Sequence, residues 1–155
     1  MPYVILILVL ALAQAAAPTQ PKIAGVWKLN TEKSTIRVPP GATEMRQYTM
    51  RPDGFLVGLV VTIVSQGFHT VQFTAKSDGK DYPEYSDLNI AEMIAAGTPT
   101  VRTYAEKIID EYTTEWIAKM DGRITSQGRR IVAPDGKTLT ITIDGSPLVR
   151  VYDRQ

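Results

Sequence analysis

The chain has 155 residues, a formal net charge of +1 and no cysteine. So even a balance gives no electrostatic case for nucleic acid or an anionic membrane surface, and the densest basic point, Arg129-Arg130, reads as ordinary surface chemistry. Without cysteine there is no disulfide, no thiol catalysis, no thiolate metal site and no lipid-modified N-terminal cysteine.

Tyr3 to Ala17 is apolar apart from Gln14 and ends in Ala13-Gln14-Ala15, a pattern a signal peptidase could cut. The run is shorter than the roughly 20 residues of a membrane span. Residues 1–20 are therefore read as a signal peptide with a linker, although Lys22 is the first basic residue, and residues 21–155 as one domain. The product is expected to be exported, periplasmic or secreted, with no stable membrane insertion after processing.

Strands are predicted over Ala24–Leu29, Thr43–Arg51, Phe55–Ser65 and Phe68–Lys76, followed by a brief extended piece ending at Pro83. Further strands follow over Val101–Ile108, Tyr112–Met120, Arg123–Val132, Lys137–Ile143 and Leu148–Asp153. Alternation is cleanest in Leu139, Ile141 and Ile143 against Thr138, Thr140 and Thr142. Phe55–Ser65 is apolar on both faces, which asks for cover on both, and its Gly58 suggests a bulge or bend. Asn89 with Glu92 has capping-box spacing and Gly97 can close a helix, so Ile90–Ala96 is read as a short helix with Ile90, Met93 and Ile94 on one face. It would cover one end of the sheet.

Asp-Gly steps at Asp53, Asp78, Asp121, Asp135 and Asp144 lie between or beside these strands. Asp-Gly suits two-residue hairpin turns, whose central residues both take positive φ. The fold class is therefore all-β, an antiparallel up-and-down barrel of 8–10 strands with one short helix near a barrel end.

Gly25-Val26-Trp27-Lys28-Leu29-Asn30 through Ser34, the turn Asp78-Gly79-Lys80-Asp81-Tyr82-Pro83, and Gly128 through Ile141 together resemble a family of small secreted bacterial lipocalin-like proteins. With Val151–Gln155 the likeness spans the mature chain, although no one motif is specific. The family's function is undetermined, so the resemblance implies a barrel with a central cavity rather than an activity. It further implies that Trp27 closes the barrel floor against a late-strand arginine, Arg150 first and Arg130 second. The helix departs from that family's pattern.

No catalytic constellation is visible. His69 is the only histidine and lies on the parity of Val71, Phe73 and Ala75, where a core or rim role outweighs catalysis. No set of metal ligands converges in the sequence and no cofactor is implied. Tyr48, Phe73, Tyr104, Tyr112 and Trp116, on different strands, are the candidate lining of a ligand cavity. The leading expectation is a carrier of a small, mainly apolar molecule. The alternative is a solid-core interaction or structural module of the cell envelope, with a homodimer through Phe55–Ser65. A small-molecule hydrolase stands third.

Overall fold

The computed structural model describes residues 20–36 and 38–155, so the leader reading, Gln20 apart, lies outside the described residues. Ten strands form β1 (Gly25–Leu29), β2 (Thr43–Met50), β3 (Phe55–Val64), β4 (Gly67–Lys76), β5 (Tyr82–Ser86), β6 (Arg102–Ile108), β7 (Thr113–Met120), β8 (Arg123–Val132), β9 (Thr138–Ile143) and β10 (Val149–Arg154). Each pairs antiparallel with its chain neighbour, and β1 also pairs with β10, closing an up-and-down barrel. Helix α1 (Asp87–Ala96) joins β5 to β6.

The turns differ from the simple hairpin expectation. Only Asp121-Gly122, between Met120 and Arg123, places both residues at positive φ, 50° and 77°. At Asp53, Asp78, Asp135 and Asp144 only the glycine is left-handed. In two of these turns the glycine N–H reaches back three residues, Gly54 to the Arg51 carbonyl at 3.0 Å and Gly136 to Ala133 at 2.8 Å. Pro52 and Pro134 follow those acceptors, where a fixed φ suits the turn. Asp53, Asp78 and Asp135 each accept an N–H from two residues on. Asp-Gly thus marks the hairpins correctly, by side-chain capping of longer turns as well as by backbone tolerance.

Cross-strand partners share a face, so register sorts each strand. On β3 the inner row is Leu56, Gly58 and Val60, all buried. The outer row, Phe55, Val57, Leu59, Val61 and Ile63, is only half-covered, with Ile63 exposed. Gly58 makes no bulge, since both flanking ladders run through it without a shift. A Cβ there would enter the Phe73 ring, so the glycine makes room for an aromatic. The register shift falls instead between Ala118 and Lys119, opposite an extra residue on β8.

β5 continues past Pro83 because Glu84 and Ser86 turn into the barrel while Tyr85 faces out. Helix α1 begins at Asp87 after Ser86, which makes no side-chain cap, so Asn89 lies inside the helix and no capping box forms. Gly97 closes it at φ 65°. Ile90 and Ile94 are exposed and Asn89 is the buried residue, the reverse of the expected amphipathic seating.

Candidate functional site: a charged barrel lumen

One barrel end is a packed floor. The Trp27 indole N–H donates to the Ile23 carbonyl at 2.8 Å. The guanidinium stacked on the ring, 4.1 Å from its centroid, belongs to Arg154 and not to Arg150 or Arg130. Register gives the reason: Arg154 lies directly opposite Trp27, whereas Arg150 is four residues, about 13 Å, toward the other end. Arg154 also donates to the Ala24, Lys22 and Gly136 carbonyls, tying the incoming chain across the floor. Gly25 sits where a Cβ would meet that guanidinium, which explains the Gly-x-Trp spacing.

The cavity-lining candidates surround a charge. Phe73 and Tyr104 stack at 3.8 Å between centroids, and Tyr48 packs against Phe73. The Arg130 guanidinium lies 5.0 Å from Tyr48, 5.5 Å from Phe73, 5.3 Å from Tyr104 and 5.9 Å from Trp116. These are cation–π distances. Tyr112 stands apart, half-buried against the hydrophobic core. Four of the five candidates therefore converge, and what they enclose at that level is Arg130 itself.

Arg130 donates to Glu106 Oε2 at 2.8 Å, and Tyr104 donates to the same oxygen. Burial pushes the Tyr104 hydroxyl well above its ordinary pKa, with Glu106 adding to the rise against Arg130. Burial opposes the charge on Arg130, but Tyr104, Tyr48 and Glu106 hold its pKa up. A second network lies nearer the other end. Glu44 Oε1 accepts from Arg46 at 2.6 Å and from Tyr152 at 2.6 Å, and Arg46 also donates to the Tyr48 hydroxyl at 3.2 Å. Burial alone would raise the Glu44 pKa, yet Arg46, the Tyr152 hydroxyl and Arg150 bring it below the usual glutamate value. A third pair, Arg102 to Glu84 at 2.6 Å, bridges β6 and β5.

The inner wall above the floor thus carries Glu44, Glu84 and Glu106 against Arg46, Arg102, Arg130 and Arg150. Of these four arginines, Arg150 is the one with no carboxylate within salt-bridge distance among the described residues. Its Nε is buried with no acceptor, as are Arg130 Nε and Trp116 Nε1, while Glu106 Oε1 and Thr114 Oγ1 are buried without partners. All five groups face inward on β6, β7, β8 and β10. Buried polar atoms are ordinarily paired, so this cluster has the chemistry of a site that receives a polar group.

His69 lies at the rim with its Nδ1 2.9 Å from Asp87 Oδ2. Among the described residues no serine hydroxyl hydrogen-bonds to it, and the hydrolase reading gains nothing. Outside the wall, Ala105, Ile117, Gln127, Arg129, Thr142 and neighbours line a groove of about 500 Å³ across β6–β9. Neither a family model nor a curated protein matches the chain.

Sequence reasoning missed Glu44, Arg46, Glu84, Arg102 and Glu106 as interior groups, and it brought Arg130 inside only as the second candidate for the Trp27 floor. Arg129-Arg130 was assigned to the surface. Arg129 is there, paired with Glu115 at 2.8 Å, but the next residue is core. The available signal was parity, since Glu106 follows Tyr104 by two and Arg46 precedes Tyr48 by two.

Proposed function

We propose that the protein is an exported carrier or store of a small organic acid, bound in the barrel lumen with its acidic group against Arg150. The observation that carries the reading is the row of unpartnered inward polar groups beside one guanidinium in excess. An acid group supplies the acceptor that Arg150 lacks, and a charge-assisted hydrogen bond of this kind is stronger than a neutral one. Ile141, beside Arg150 on the neighbouring strand, and Val60 and Ala118 on the same inner wall offer an apolar body its contacts. The cargo is thus amphiphilic, more polar at one end than the sequence alone suggested.

Native mass spectrometry of protein purified from its host's exported fraction tests this. A reproducible adduct that extracts as an anion, and is lost in Arg150→Leu, is expected. Bare protein, with Arg150→Leu more stable than the parent, would assign the orphaned atoms to ordered water and end the carrier reading.

The outer groove, and the half-covered outer row of β3 beside Pro83 and Tyr85, support a second reading, an interaction module that uses its outer wall. Sedimentation of the mature domain tests the homodimer this implies: a concentration-dependent dimer dissociated by Leu59→Glu is the expected result.

A further inference from the structure

The barrel wall is weakest between β5 and β6, which share two register pairs where β1–β10 and β4–β5 share three. β6 meets β7 in a ladder from Arg102–Met120 to Ile108–Thr114, but meets β5 only through Tyr82–Tyr104 and Pro83–Thr103. Pro83 has no N–H to contribute. Toward the floor the gap is closed another way, by the Gly79 N–H donating to the Glu106 carbonyl at 2.9 Å and by Asp78 pairing with Lys107. Toward the open end β5 and β6 share no further register, and the Glu84 and Arg102 side chains bridge them, Nε and Nη2 to Oε1 at 2.9 and 2.6 Å.

Helix α1 is the excursion inserted at that seam, and it is lightly held. Leu88, Ile90 and Ile94 face solvent, Ile94 at 78% exposure, and Asn89 is the buried residue. The attachments are polar. Asp87 accepts the Thr70 N–H at 2.6 Å and meets His69 at 2.9 Å, and the Thr100 hydroxyl donates to Asn89 at 3.0 Å. A segment with so little buried apolar surface opens locally at low free-energy cost.

We propose that the β5–β6 seam is the route by which the small acid enters and leaves the lumen, with α1 as the moving lid and the Glu84–Arg102 pair as the latch. This rests on the lumen reading above. As the latch parts, Arg102 presents its guanidinium to the incoming acid, so the route itself favours anions. The long unshifted ladders β2–β3, β3–β4 and β6–β7 stay shut.

The test is stopped-flow binding of 1-anilinonaphthalene-8-sulfonate, an aromatic sulfonate, to the mature domain and its variants. In a chain with no cysteine, Glu84→Cys with Arg102→Cys, one register step beyond Pro83–Thr103, is the pair to cross-link by a disulfide or, where the thiols do not pair directly, by a short bis-maleimide. Cross-linking is expected to slow association and dissociation at least tenfold with little change in Kd, and reduction of the disulfide to restore both. Unchanged rates in the cross-linked form would overturn the seam. If Arg150→Leu removes binding while the cross-linked staple binds at the parent's rate, the lumen reading stands and the portal falls. No binding to the parent protein ends both. Where the staple does not fold, Asp87→Ala frees α1 from β4 at the surface; association at least threefold faster supports the lid, and an unchanged rate refutes it.

Discussion

Glu106 and Arg130 are 1% and 3% exposed at their side chains, and each is the other's counter-charge. Removing one partner of such a pair leaves a buried charge uncompensated, which costs about 3–5 kcal/mol. Glu106→Gln is accordingly expected to lower stability by that order in urea denaturation. Glu106→Leu with Arg130→Met removes both charges at similar volume and is expected to come within about 1 kcal/mol of the parent or above it, as for other buried pairs exchanged for apolar groups. A double variant as unstable as the single one would mean that the aromatic walls, rather than the ion pair, depend on Arg130. Gly58 tests the packing of the same walls. Gly58→Ala sets a methyl against the Phe73 ring and should cost about 1–3 kcal/mol, the usual range for overpacking. Phe73→Leu in that background should recover part of the loss, and additive effects in the four-variant cycle would count against the contact.

At the scale of the element, the Asp-Gly turns give a contrast that the sequence does not. Asp121 holds φ 50° between β7 and β8, so Asp121→Ala keeps a strained backbone without the compensating polar side chain and should cost about 1 kcal/mol or more. Asp135, whose own φ is not positive, loses only the hydrogen bond to Lys137 on conversion to Ala and should cost about half as much, by thermal denaturation of each variant. Equal losses would remove the distinction. The strands, their order and the hairpins were legible because turn chemistry and period-2 alternation act within a few residues. The site was not, because it depends on which of two charged neighbours faces in. Glu106 and Lys107, like Arg129 and Arg130, are adjacent charges on strands with mixed faces. Parity with Tyr104 was the one cue for Glu106, whereas Arg129 and Arg130 are separated by the register, which sets Arg129 opposite Glu115 and Arg130 opposite Thr114. The floor arginine fails for the same reason, since Arg150 and Arg154 share parity and only the β1–β10 register selects Arg154.

For the molecule as a whole, closing a barrel around carboxylates ties its stability to pH. The Glu44 carboxyl, half of an ion pair only 11–13% exposed, has a folded pKa below the 4.5 of an ordinary glutamate, because Arg46, Tyr152 and Arg150 outweigh the burial that opposes them. Below 4.5 the unfolded chain takes up this proton first, so stability must fall as pH drops from there toward the folded pKa, and above 4.5 the contribution is complete. Asp87, Asp78 and Asp153 are displaced in the same direction by their hydrogen bonds, but they lie near the surface, where solvent and salt weaken the effect. Urea midpoints between pH 7 and pH 3 should therefore decline below 4.5, and Glu44→Gln should be less stable at pH 7 with a shallower decline. Raising the salt concentration separates the two sources, because it screens the surface aspartates far more than a pair inside the wall. A decline that salt abolishes and Glu44→Gln leaves intact would place the acid sensitivity on the outside of the barrel. The interior charges would then act to position groups in the lumen, with no measurable share in holding the wall together.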